Sequence, residues 1–180
     1  IDDLEASGNA FTSCSLFSNP DLKNGQVFIE SFYTIKAEGP GRLELNRYLN
    51  PQTRHYLISE DLKNLTKQLD LDDMRDNQEK LSKDMASELI QMKVGEITNA
   101  LSLAEKLAFH TCQQQIEDSV TDLLESSKQE LARYKSLEIT PGSYQAELDA
   151  LTEKAKESIS LLQNAKPKLM GLCVWVNFNK

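Results

Sequence analysis

The chain has 180 residues, 39% of them apolar and 27% charged, with a formal net charge of −8. That length suits one domain able to bury a core without disulfide or metal support. The acidic balance leaves no basic groove for a phosphate backbone, which argues against nucleic acid as a partner, and no stretch reaches the roughly 18–20 apolar residues that span a bilayer.

Residues 1–24 are rich in Asp, Ser, Asn and Gly and read as a coil docking on the domain through Leu16 and Phe17. In "QVFIESFYTIKA", Val27, Ile29, Tyr33 and Ile35 share one side of a two-residue period, with Phe28 and Phe32 on the other, as in a strand. The glycines and proline of "EGPG" at 38–41 mark a turn. "RLELNRYL" alternates again through Leu43, Leu45 and Leu49, and "TRHYLI" follows the break at Pro51. Together these predict a small antiparallel meander.

The period then changes. Ser59, followed by Glu60 and Asp61, suits the start of a short helix to about Leu69, and Asp70 can cap the next one. Leu81, Met85, Leu89 and Met92 are spaced 4, 4, 3. Ile97, Leu101, Ala104 and Ala108 continue the stripe, as do Cys112, Ile116, Val120 and Leu123, then Leu124, Leu131 and Tyr134. This is helical spacing. A single helix over 71–137 would be about 100 Å long, and a last helix over 143–165 could cover only part of its stripe. Gly95 is the expected break, giving a hairpin or three-helix bundle; an unbroken rod would need a partner chain. Thr140 and Pro141 suit the start of the last helix, which carries Tyr144, Leu148, Leu151, Ala155, Ile159 and Leu162 until Pro167 stops it. The closing "LMGLCVWVNFNK" alternates Leu172, Val174 and Val176 with Cys173 and Trp175, and predicts a strand returning to pair with the first.

Motifs for chemistry are sparse. His110 and Cys112, two residues apart on a helix, point in divergent directions and do not form a nucleophile pair or a metal site. Asp70, Asp72 and Asp76 resemble the start of a calcium loop, but the glycine at its sixth position is missing and Glu79 comes too early. There is no phosphate-binding glycine loop, nucleophile elbow or zinc helix motif. Cys14, Cys112 and Cys173 lie too far apart for a paired zinc spacing; they read as three thiols, or as one bridge plus one. Asn64-Leu-Thr66 is a glycosylation sequon inside a predicted helix.

The expected fold is α+β: a small antiparallel sheet from 25–58 plus 168–180, with a helical hairpin or bundle over 59–167. The expected function is a non-catalytic structural or protein-interaction module, with no cofactor, metal or catalytic residue. Its amphipathic faces would bind a protein partner or a second copy in a coiled-coil manner, with Leu89, Met92, Leu101, Leu124 and Leu131 as the binding candidates and acidic flanks selecting a basic or neutral partner. Nucleic acid and a transmembrane segment are not expected. A start at Ile1 rather than Met leaves room for a removed export signal. The alternatives are therefore a secreted or envelope sensor or inhibitor with one disulfide, and an enzyme whose acidic site is assembled only by folding.

Overall fold

The computed structural model describes residues 11–138 and 140–179. The architecture is α+β, in chain order β1 (Phe11–Phe17), β2 (Val27–Lys36), two 3-10 turns (Gly41–Leu43 and Leu45–Arg47), β3 (Gln52–Ser59), α1 (Leu71–Asp76), β4 (Glu79–Lys80), α2 (Lys83–Met92), α3 (Val94–Leu137), α4 (Gln145–Gln163) and β5 (Lys166–Asn177). The chain divides into two compact units. The first takes the chain up to Thr34, Thr53–Ala108 and the chain from Lys168; the second takes Ile35–Gln52 and Phe109–Pro167.

The first unit is built on a sheet in the order β3-β2-β5-β1-β4. The closing apolar run is thus the central strand, with β2 on one side as expected. On its other side lies β1, paired in parallel from Phe11 opposite Gly171 to Phe17 opposite Asn177. Two expectations are corrected here. The coil expected over 1–24 contains a strand at Phe11–Phe17, whereas residues 1–10 lie outside the described ones. The sheet is mixed rather than antiparallel, because an alternating pattern records which side chains share a face and not the direction in which the strand runs.

Both faces of this sheet are covered over part of their area. On one, Val27, Ile29, Tyr33, Ile58, Leu172, Val174 and Val176 pack against Ile97, Ala100, Ala104 and Ala108 of α3. Three alanines at spacings of four let the helix approach the sheet closely, and Ala100 takes the buried position that the stripe had given to Leu101, which is only partly buried. On the other face Phe17, Phe28, Leu57, Cys173 and Trp175 pack with Met74 of α1 and with Leu22, Leu65, Leu69 and Leu71.

The expected helix from Ser59 is absent. Residues 59–66 fold back instead, with Ser59 N donating to Lys63 O and Leu65 N to Leu57 O, and with Ile58 bridged to Asn64. Leu62 takes φ +61° in that turn. The sequon asparagine is part of the same turn, its Oδ1 accepting from Thr66 Oγ1 at 2.6 Å. Asp70 does cap a helix, accepting from Asp72 N at 2.9 Å, but this is the short α1.

The helical stripe is interrupted at Lys93 rather than at Gly95. One residue cannot reverse a helix, a turn that takes about 2–5 residues. Lys93 N still donates to Leu89 O and Ile97 N to Lys93 O, so the i to i−4 pattern runs through the junction. From Val94 the helix continues unbroken for 44 residues, about 66 Å at 1.5 Å per residue.

The second unit holds the helical hairpin. α4 returns along the later part of α3, and Cys112 and Leu123 pack with Leu162 and Ala165, flanked by Ile116, Val120, Ala155 and Ile159. Tyr134 and Tyr144 meet edge to face where the chain reverses. α4 begins at Gln145 rather than at Pro141, since Gly142 adopts φ +83° just before it. Leu43, Leu45 and Leu49 are buried together as their spacing implied, but Leu43 and Leu45 lie on 3-10 turns and Leu49 in the bend after them, not on a strand. Glu44 between the two turns stands at φ +50°, outside any extended conformation.

Candidate interaction surface

The apolar stripe that called for a second copy is covered within the chain, by the sheet in the first unit and by α4 in the second. The residues expected to bind a partner therefore separate. Leu89 and Leu101 are partly buried against the sheet-side core. Met92 is 73% exposed and Leu124 is 40% exposed. Leu131 is intermediate. The first three belong to one unit and the last two to the other.

The feature that sequence reading missed lies on the part of the first unit's sheet that the described residues leave less covered. Among the described residues, Leu65 to Met74 cover Phe17, Phe28 and Trp175, and the half-buried Phe32 packs at the edge of the same cluster. Beyond that cover, three aromatic rings form a row across four strands. Phe11 of β1 and Phe32 of β2 have ring centroids 5.5 Å apart, and Phe32 and His55 of β3 are 6.4 Å apart. β5 runs between Phe11 and Phe32 in strand order, and there it carries Gly171. A Cβ on Gly171 would collide with the Phe11 ring, so only glycine lets that ring lie across the strand toward Phe32. Phe11 is 54% exposed and His55 is exposed as well.

An open depression of about 360 Å³ adjoins the row, lined by Phe32, His55, Thr66 and Leu69, and by Asp70, Leu71, Asp72 and Arg75 of the α1 end. Arg75 of this lining is held by a buried carboxylate. Glu30, with no exposed surface, accepts from Arg75 Nη2 at 2.9 Å and from Trp175 Nε1 at 3.0 Å. Both oxygens thus hold charge-assisted or buried hydrogen bonds, which is what keeps an ionised group tolerable in the interior. Asp70 caps α1, while the Asp72 side chain is almost fully exposed beside Arg75.

The cysteines are free among the described residues. Cys14 and Cys173 lie on neighbouring strands one register apart, since Cys14 pairs with Val174. Their side chains therefore leave opposite faces of the sheet, Cys14 toward the α3 side and Cys173 toward the Trp175 side. That geometry does not suit the single bridge considered from sequence. Burial, with the Cys173 thiol nearby, pushes Cys14 up to about 11; burial also raises Cys173 and Cys112. The thiols are held in their unreactive protonated form. No helix among the described residues is long and apolar enough to cross a membrane.

Comparison with known proteins places this geometry in context. Residues 1–177 match the family described as RNA polymerase recycling family C-terminal. Among curated proteins, the chain is 26% identical over 176 residues to the RNA polymerase-associated protein RapA of Pseudomonas fluorescens (strain Pf0-1), covering 97% of this chain and 19% of the relative. It is 28% identical over 177 residues to the protein of the same name from Pasteurella multocida (strain Pm70), covering 97% of this chain and 18% of that relative. The chain thus spans about a fifth of the length of the curated relatives it matches. These relatives correct the expected set of partners, a protein or second copy apart from nucleic acid. They are named for RNA polymerase, a protein that itself holds nucleic acid. The charge of one domain did not report on that setting, and the uncovered stripe that had suggested self-association is covered within the chain.

Proposed function

The chain belongs to the RNA polymerase recycling family C-terminal group, and from that premise we propose that it is an interaction module of an RNA polymerase-associated protein, binding rather than catalysing. The observation that carries this reading is the extent of the match. Practically the whole chain, 97% of it, aligns with about a fifth of relatives named for association with the polymerase. The exposed apolar residues Met92 and Leu124, with Leu131 beside the latter, remain candidates for contact with the partner. Leu89 and Leu101 support them from below by fixing their helices to the core.

The acidic flanks fit this role. The acidic balance of the chain, −8 overall, would favour a basic patch on the partner and discourage acidic surfaces. The reading also displaces the secreted alternative, which rested on a disulfide and on the starting residue.

The test is direct binding of the purified 180-residue chain, immobilised, to RNA polymerase from the same cells. Saturable capture at physiological salt is the expected result. Absence of capture at micromolar polymerase would overturn the proposal.

A further inference from the structure

The exposed aromatic row faces a depression whose charge can be worked out residue by residue. Among the described residues lining it Arg75 is the one Lys or Arg; its Nη2 lies 2.9 Å from the buried Glu30 carboxylate and its Nη1 3.9 Å from the exposed Asp72. Two carboxylates, Asp70 and Asp72, against one guanidinium leave the described lining net negative, beside the half-buried Phe32 ring and the exposed His55. Exposed π-faces next to carboxylates suit a cation with a flat, weakly hydrated head. The guanidinium of arginine stacks on rings while its N–H groups reach an acid, and a strongly hydrated ammonium does this less well. A phosphate backbone would meet the two carboxylates as like charges.

We propose that the row formed by Phe11, Phe32 and His55 is a docking platform for an arginine-bearing segment of a protein partner, with the guanidinium stacked on the rings and paired with Asp72. This rests on the reading of the chain as an interaction module and names the chemistry of what it binds. Gly171 is the residue that makes the platform, because any larger side chain there would displace the Phe11 ring that extends the row beyond Phe32.

The experiment uses the full chain and a fluorescein-labelled hexapeptide of alternating Gly and Arg, its Gly-Lys counterpart and a 12-nucleotide oligouridylate, read by fluorescence anisotropy. The arginine peptide is expected to bind more tightly than the lysine peptide. Phe11→Leu and His55→Ala should each weaken it about fivefold, the size of one partly desolvated cation–π contact, and Asp72→Asn about threefold. Asp149→Asn, an exposed acid on α4 in the second unit, should leave binding unchanged, and an unaltered Trp175 emission confirms that each variant is folded. Equal loss in Asp149→Asn, or no loss in the ring variants, overturns the platform. Binding of the oligouridylate that is lost in Phe11→Leu also overturns it, in favour of a single-stranded nucleic-acid site.

Capture of RNA polymerase by the same variants separates the two proposals. If wild type and the Phe11→Leu/His55→Ala pair capture polymerase equally, the platform inference fails and the interaction module stands. If wild type captures none, the module reading fails, and the peptide series alone decides the platform.

Discussion

Trp175 Nε1 donates to Glu30 Oε2 at 3.0 Å across the neighbouring strands β5 and β2, while the other Glu30 oxygen holds Arg75 of α1. The only tryptophan, a fully buried carboxylate and a short helix are thereby tied into one network. Arg75→Met would leave that carboxylate with a single donor. The expected loss is about 2–3 kcal/mol, below the usual figure for breaking a buried pair because Arg75 is partly exposed. Arg42→Met removes an exposed pair with Glu157 and should stay within about 0.5 kcal/mol of wild type. Urea denaturation followed by Trp175 fluorescence measures both.

Gly171 and Phe11 predict a coupled pair. Gly171→Ala places a methyl against the Phe11 ring and should destabilise by about 1–3 kcal/mol, as overpacking does. Phe11→Ala in that background removes the collision, so the double variant should be more stable than the sum of the single changes implies. A double-mutant cycle checks this; strict additivity would show that the ring moves aside without cost.

Asn177 is buried at the end of β5, where its Nδ2 donates to the carbonyls of Asn19, Leu22 and Lys23 and its Oδ1 accepts from Asn19 N. Asn177→Ala should cost about 2–3 kcal/mol, since it removes a buried amide that holds four bonds to part-buried backbone groups. Removal of residues 169–180 should unfold the first unit altogether, because it takes out the central strand and not an edge. Circular dichroism and thermal melting give the readout.

The thiols predict a pH dependence. Burial raises Cys14 from 9.0 to about 11 and Tyr33 from 10.0 to about 12, in the latter case with the Glu105 carboxylate adding to the effect. In each pair of values the folded state keeps a proton that the unfolded state has lost. The stability they contribute is therefore complete below about pH 9 and declines as pH rises through 9–12. Urea midpoints at pH 8, 10 and 11 should fall in that order, and a thiol reagent at pH 8 should react slowly until denaturant is added.

Substitutions among the five stripe leucines and methionines should separate folding from binding. Leu89→Ala and Leu101→Ala lie against the core and should lower stability by about 1–3 kcal/mol. Met92→Ser and Leu124→Ser are exposed and should stay within about 0.5 kcal/mol of wild type, so their effect on polymerase capture reads contact alone. A fall in stability at Met92 or Leu124 would show that they are held by the fold.

The sequence by itself determined which residues turn inward. The alternation of Val27, Ile29 and Tyr33 against Phe28, and of Leu172, Val174 and Val176 against Cys173 and Trp175, assigned both faces of the central strands. Burial follows periodicity because successive side chains of a strand leave opposite faces, so each alternate set meets one layer. The helices from Lys83 to Gln163 were legible from their own period. Tertiary structure alone decided the rest: that β1 runs parallel to β5, that α3 passes Gly95 unbroken, and that a polar, Ser-rich stretch forms a strand at all. These are matters of which surfaces meet, and local pattern carries no record of a neighbour about 160 residues away. The aromatic row is the clearest case. Phe11, Phe32 and His55 belong to three strands, and only the pairing of those strands around Gly171 brings their rings together.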